Sequence, residues 1–249
     1  MSNSSLVEYT QLTNNCNKPR RDKIRKITIH HAAGNATLQG FGATFSGTRE
    51  VSANYAVDSH GRIGMYVEEC NRAWTSSSPE NDHQAITIEV ANDSAEPDWH
   101  VSDAALEATI NLCVDICKRN GIERLNFTGD KSGNLTMHKY FAATGCPGPY
   151  LSSKFPYIAN EVNKRLGAGA SSAADKNINT SGNIKIGDIV QFKGGGVYLS
   201  ASAEKASATK GASRCKVTVM SNGGKHPLHL ISEDGKGVYG WVDSANVTK

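Results

Sequence analysis

His138 and Cys146 stand eight positions apart in "MHKYFAATGCPGP", and the cysteine is followed at once by Pro-Gly-Pro. Imidazole and thiolate are both zinc ligands, and a catalytic zinc site uses three protein ligands so that the fourth position can carry water. Seven intervening residues match no common zinc-finger spacing, so the pair alone supplies two of three ligands at most. The Pro147-Gly148-Pro149 corner is expected to fix the backbone, to keep a helix from forming there and to leave the thiol in a rigid loop.

A third ligand is available in "ITIHHAAG". Strand alternation sends Ile27 and Ile29 to one side and Thr28 and His30 to the other, so His30 leaves the strand end opposite the two isoleucines. The neighbouring His31 leaves the choice between the two open, and a hydrogen-bonded structural role competes for either. Glu89 lies inside the otherwise apolar strand "AITIEVAN", where a carboxylate is costly unless a partner or a function retains it. A structural salt bridge is one such partner; the other is a zinc pocket, in which a carboxylate serves as general base toward water. Two neutral imidazoles and one thiolate leave a zinc centre with a net charge of about +1, less electrophilic than a three-histidine centre, which makes a nearby base more useful.

The elements that must position these groups are legible around them. "KITIHH" (26–31) and "AITIEVAN" (85–92) are short β-branched strands, and "SANYAVDSHGRIGMYV" reads as a hairpin turning at Ser59 to Gly61. Residues 102–120 form a helix capped by Ser102, with Leu106, Ile110, Cys113 and Cys117 on one face, so these two cysteines are core residues. A second helix is expected at about 155–166, with Pro156 in its first turn. The Ala/Ser/Gly/Asn-rich stretch 167–183 reads as a flexible tether, and the glycine-punctuated short strands of 184–249 as a small barrel of five or more strands.

Together "ITIHH", "VSANYAVDSHGRI", "AITIEVAND" and "MHKYFAATGCPGPYL" resemble, in this order, the zinc-dependent N-acetylmuramoyl-L-alanine amidases of phage lysins and animal peptidoglycan recognition proteins. The resemblance runs from about residue 24 to 165. It implies an α/β fold with a mixed central sheet flanked by helices, zinc (Zn²⁺) held by His30, His138 and Cys146, and hydrolysis of the amide between N-acetylmuramic acid and L-alanine of the stem peptide. Glu89 matches the glutamate used by the branch related to cell-wall recycling amidases and is the expected base. Two positions depart from the family. Ala53 and Asn54 fall where many members carry a tyrosine or histidine, and Thr144 replaces a lysine frequent in phage enzymes. Thr144 is therefore expected to hydrogen-bond the oxyanion, Asn54 to hold substrate or a ligand, and Trp74 to line the groove.

The resemblance divides the chain into a catalytic domain (1–166), the tether (167–183) and a C-terminal domain (184–249) similar to bacterial SH3-like wall-binding modules. There Tyr198, Tyr239 and Trp241 are the candidate wall-binding aromatics; alternation puts Tyr239 and Trp241 on one face, and one of them is expected in the core. The implied partner is bacterial peptidoglycan, cut by an endolysin or autolysin. The rival functions are a non-catalytic peptidoglycan-binding module, a zinc peptidase acting within the stem peptide and a cytoplasmic amidase recycling wall fragments. A net charge of only +3 with scattered cations argues against nucleic acid. The first thirty residues lack the apolar stretch of a secretory signal, and no run approaches bilayer length, which predicts a soluble chain without membrane insertion, made in the cytoplasm and acting at the wall after release.

Overall fold

The computed structural model describes residues 2–167, 184–199, 201, 203–220, 224–234 and 237–249. The chain divides into two compact units, Met1–Ala168 and Gly169–Lys249. Apart from Gly167, the expected tether lies outside the described residues. Among the described residues no helix is long and apolar enough to cross a membrane.

The first unit contains β1 (Tyr9–Thr10), β2 (Cys16–Asn17), β3 (Lys26–His31), α1 (Leu38–Ser46), β4 (Tyr55–Val57), β5 (Ile63–Met65), β6 (Arg72–Ala73), α2 (Pro79–Gln84), β7 (Ala85–Val90), α3 (Asp103–Asn120), β8 (Leu135–Met137) and α4 (Gly148–Arg165). Six strands form a mixed sheet in the order β1-β5-β4-β7-β3-β8. Within it β4, β7, β3 and β8 run parallel, and β4–β5 is the expected antiparallel hairpin. Asp58 sets that turn by accepting the His60 and Arg62 amides on Oδ1.

Parallel strands are covered on both faces, which is why β3 and β7 are apolar almost throughout. Ile27, Ile29, Ile86 and Ile88 pack with Tyr55 and Val57 against the buried faces of α3 and α4, including Ile110, Cys113, Cys117, Leu151, Phe155 and Val162. A smaller cluster joins Phe41 and Phe45 of α1 to Ala56 and Tyr66. Helix α3 obeys its sequence signals: Ser102 Oγ accepts the Ala105 amide at 3.1 Å, and the helix ends at Gly121.

Helix α4 corrects the sequence expectation. It begins at Gly148, directly after the cysteine, instead of near 155. Pro149 falls in the first turn, where a proline's missing N–H would have had no intrahelical partner anyway, so the Pro-Gly-Pro corner opens the helix and does not block it. Pro156 then lies in the helix interior.

The C-terminal unit is all-β apart from a single 3-10 turn at Ser244–Asn246, among the described residues. It contains β9 (Ile189–Phe192), β10 (Gly195–Val197), β11 (Ala208–Lys210), β12 (Ser213–Met220), β13 (Leu228–Ser232), β14 (Tyr239–Val242) and β15 (Val247–Thr248). Five of these form an antiparallel sheet in the order β14-β13-β12-β9-β15, and β10 and β11 form a ribbon. Val190, Phe192, Val197, Val217, Leu228, Leu230 and Val242 build its core. Gly240 lets the ribbon approach: a Cβ there would lie 2.5 Å from Val197 Cγ1, and its φ of +149 suits glycine. Paired backbone bonds between Tyr198 and Trp241, at 2.8 and 2.9 Å, lie beside that contact.

Candidate metal and active site

β3, β7 and β8 lie side by side and bring three chemical groups to the same end of the sheet. His30 is in register with Glu89, and Ile29 with Met137, so His138 follows immediately at the start of a 3-10 turn. Two residues before each of the three groups stands a buried threonine, Thr28, Thr87 or Thr136, and these are themselves in register. The period of two puts each threonine on the face of its functional neighbour. Thr28 Oγ1 and Thr136 Oγ1 are 2.9 Å apart, Asn81 Nδ2 donates to Thr28 Oγ1 at 2.9 Å, and the Thr75 hydroxyl donates to Thr87 Oγ1 at 2.8 Å. A bonded polar layer thus fixes the strands beneath the site.

Cys146 arrives from the loop before α4. The His31 amide donates to its Sγ at 3.4 Å, its carbonyl accepts the Lys139 amide at 3.1 Å, and its own amide donates to Thr144 Oγ1 at 3.2 Å. His30, His138 and Cys146 offer ligand atoms that all lie within 4.8 Å of one another, a group that could hold a metal ion. The two imidazole centroids are 4.6 Å apart.

Both ring nitrogens of His30, Nε2 of His138 and Oε2 of Glu89 are buried without a hydrogen-bond partner. Each such atom costs about 1–3 kcal/mol, so four in one place mark a site kept for something other than stability. Burial lowers the pKa of both histidines, assisted at His30 by the adjacent imidazoles of His138 and His31, and so favours the neutral form that ligates metals. Burial, then the nearby Glu89, pushes the Cys146 thiol up. Burial likewise pushes the Glu89 carboxyl up to about 8, with Oε1 3.9 Å from His30 Nδ1.

Glu89, His138 and Cys146 open into a pocket of about 590 Å³, lined also by His31, Trp99 and Thr144. His30 lies behind its wall, 1% exposed. Gly148 closes the pocket near its aromatic residues: with φ at +80, a Cβ there would meet His31 Cε1 at 3.0 Å and Trp99 Cβ at 3.1 Å.

Two of the expected substrate contacts lie elsewhere. Asn54 is fully buried; its Nδ2 donates to the Val67 carbonyl at 3.1 Å and its Oδ1 accepts the Thr87 amide at 3.1 Å, so its polarity serves the backbone. Trp74 is half-buried and donates from Nε1 to Asn17 Oδ1 at 2.8 Å, away from the pocket lining. The aromatic that does line the pocket is Trp99, which sequence reasoning passed over. Its signal was topological, because it lies in the loop after β7, at the carboxyl end of a parallel strand where α/β sheets place ligand sites.

In the C-terminal unit Trp241 is a core residue at 1% exposure, and its ring and that of Tyr239 both meet His229 edge-on. Tyr198 is half-buried and stacks on His226, with centroids 3.3 Å apart.

The sequence profile of the Amidase_2 family, N-acetylmuramoyl-L-alanine amidase, matches residues 20–149, just over half of the chain and all of the cluster. The chain belongs to this family. The amidase therefore has peptidoglycan as its substrate class, and its cluster lies within the matched segment. Its fold is similar to that of PlyL, with a TM-score of 0.50 at 16% identity over 62% of this chain and 95% of the other. A PlyL mutant gives 0.50 at 15%, covering 62% and 96%. A mutant endolysin from Bacillus subtilis gives 0.49 at 17%, covering 63% and 99%. At such identities the likeness to PlyL speaks to the fold alone. Curated protein sequences give no significant match to the amidase.

Proposed function

We propose that this amidase hydrolyses the bond between the lactyl group of N-acetylmuramic acid and L-alanine, with zinc held by His30, His138 and Cys146 and with Glu89 as the base. The observation that carries this is the convergence of the three ligand atoms within 4.8 Å, with Glu89 beside them in one pocket. The donor set suits zinc. Ligands at ~2.0–2.3 Å from a tetrahedral ion lie ~3.3–3.8 Å apart, which small rotations of these side chains would reach. The unpartnered nitrogens of His30 and His138 are the atoms such an ion would satisfy.

Zinc bound there would supply a Lewis acid for the scissile carbonyl and for the attacking water. A cation beside Glu89 would offset the burial that raises its pKa and hold it ionised. Glu89 then takes the proton from the water as the water oxygen bonds to the carbonyl carbon, and returns it to the alanine nitrogen as the C–N bond breaks. Thr144 already accepts the Cys146 amide on its oxygen, so its own hydroxyl proton is free to point at the carbonyl oxygen as negative charge develops. The His31 amide orients Cys146 by donating to its sulfur.

The C-terminal unit is read as an SH3-like module that binds the wall and raises the effective concentration of the amidase there, as in an endolysin or autolysin. Its half-buried Tyr198 and Tyr239 are the aromatics proposed for that contact; Trp241 contributes to the core.

Digestion of purified walls tests the reaction. New L-alanine amino termini without new reducing sugar ends are expected; reducing ends, or amino termini of other stem residues, would exclude the amidase chemistry. His138→Ala is expected to stop release and lose zinc while the full-length variant still sediments with walls.

A further inference from the structure

Among the described residues, Glu89 and Glu96 are the only carboxyl groups lining the amidase pocket, and no lysine or arginine lines it. The loop after β7 supplies Glu96, Pro97 and Trp99 to this lining. Several of its other polar groups hold the loop, and Asp98, also exposed, is outside the pocket lining. Asp93 pairs with His100 at 2.6 Å, Ser94 Oγ accepts the His100 amide at 3.1 Å, and Asn92 Nδ2 donates to the Trp99 carbonyl at 2.7 Å. Trp99 has φ at +50, a left-handed conformation that persists only where the surroundings fix it. Glu96 is exposed and has no hydrogen bond or ion pair among the described residues. The loop therefore presents one uncompensated carboxylate to the pocket.

Resting on the amidase reading, we propose that Glu96 makes the pocket select against a free carboxylate beside the scissile amide and favour a stem peptide whose second residue carries a carboxamide there. Alanine supplies the scissile nitrogen, and the α-carboxyl of the next residue lies within about 7 Å of it even in an extended chain. The pocket volume equals that of a sphere about 10 Å across, so this group sits at or inside the rim. A carboxylate there would be repelled by Glu96 with no lysine or arginine in the lining to offset it, the net charge of about +1 on a zinc centre being already matched by the Glu89 carboxylate. A carboxamide carries no charge and can donate an N–H to the Glu96 oxygens.

The test uses the full-length, zinc-loaded protein and two synthetic muropeptides, N-acetylmuramoyl-L-alanyl-D-glutamate and its α-carboxamide. kcat/KM is expected to be about fivefold higher for the carboxamide, the scale of a partly exposed charge interaction. The ratio should shrink between ~0.05 M and ~0.5 M salt, because exposed charges are screened. Glu96→Gln should bring the ratio close to unity, and Glu96→Lys should invert it. Equal rates for the native protein, or a preference that Glu96→Gln leaves intact, would overturn the proposal. Release of alanine amino termini from neither muropeptide would instead overturn the amidase reading on which it rests.

Discussion

At Glu89 the carboxylate lies beside the three candidate ligands without being one of them. Its carboxylate stands 3.9 Å from His30 yet is not needed to complete the three-ligand set. Glu89→Gln keeps the shape and removes the base, so kcat should fall by about 10²–10⁴, the usual range for a general base, while zinc content stays at the native level. A variant that lost zinc in parallel would make Glu89 a ligand or a structural group. The residues proposed to do chemistry stood out because their types are expensive where they stand: a carboxylate in an apolar strand, a histidine at a strand end, a thiol before Pro-Gly-Pro. Asn54 misled for a related reason. A buried amide that bonds to the backbone and one that bonds to substrate have the same sequence signature, and only the position of Val67 and Thr87 around it separates them. Trp99 and Glu96 were not legible, since their use depends on a loop conformation that side-chain hydrogen bonds set.

Among the elements, the three parallel strands act as a ruler. "TIH", "TIE" and "TMH" repeat one pattern, and register places the threonines side by side beneath the histidines and glutamate. Thr28→Val and Thr136→Val should each cost about 1 kcal/mol, the net worth of a buried neutral hydrogen bond, and their double-mutant cycle should show coupling of about 0.5–1 kcal/mol in denaturant unfolding. Additive effects would mean that the 2.9 Å contact between the two hydroxyls does not bind the strands together. Strands β3 and β7, the hairpin and α3 follow from periodicity and capping, which are local. The start of α4 does not, because proline near a helix start and proline in a loop look alike until the first-turn position of Pro149 is known.

For the whole molecule, each of the two units has its own hydrophobic core. In the C-terminal unit His229 is buried against Tyr239 and Trp241, with Nδ1 2.6 Å from Thr218 Oγ1, and burial lowers its pKa from 6.5 to about 3. Between those values the unfolded chain holds a proton that the folded unit excludes. Stability is therefore complete above 6.5 and is lost as pH falls toward 3, by up to about 1.4 kcal/mol per pH unit from this residue. Denaturant unfolding followed at the Trp241 indole resonance should show this loss from about pH 7 to about pH 5, and His229→Gln should flatten it. An identical slope in the variant would assign the effect to other groups. The α/β fold and the later all-β region were visible in the sequence; which C-terminal aromatic is buried was not, since Tyr239 and Trp241 share a face and both meet His229, and only the depth of burial, 1% exposed at Trp241 against half-buried at Tyr239, distinguishes them.

The most direct test of the zinc amidase assignment is titration of metal-stripped full-length protein with zinc, following release of L-alanine amino termini from purified walls. Release should be absent without metal, rise in proportion to added zinc and reach a plateau at about one equivalent per chain, as expected for a single three-ligand site formed by His30, His138 and Cys146. Full release from the stripped protein, or none at any zinc concentration, would contradict the account.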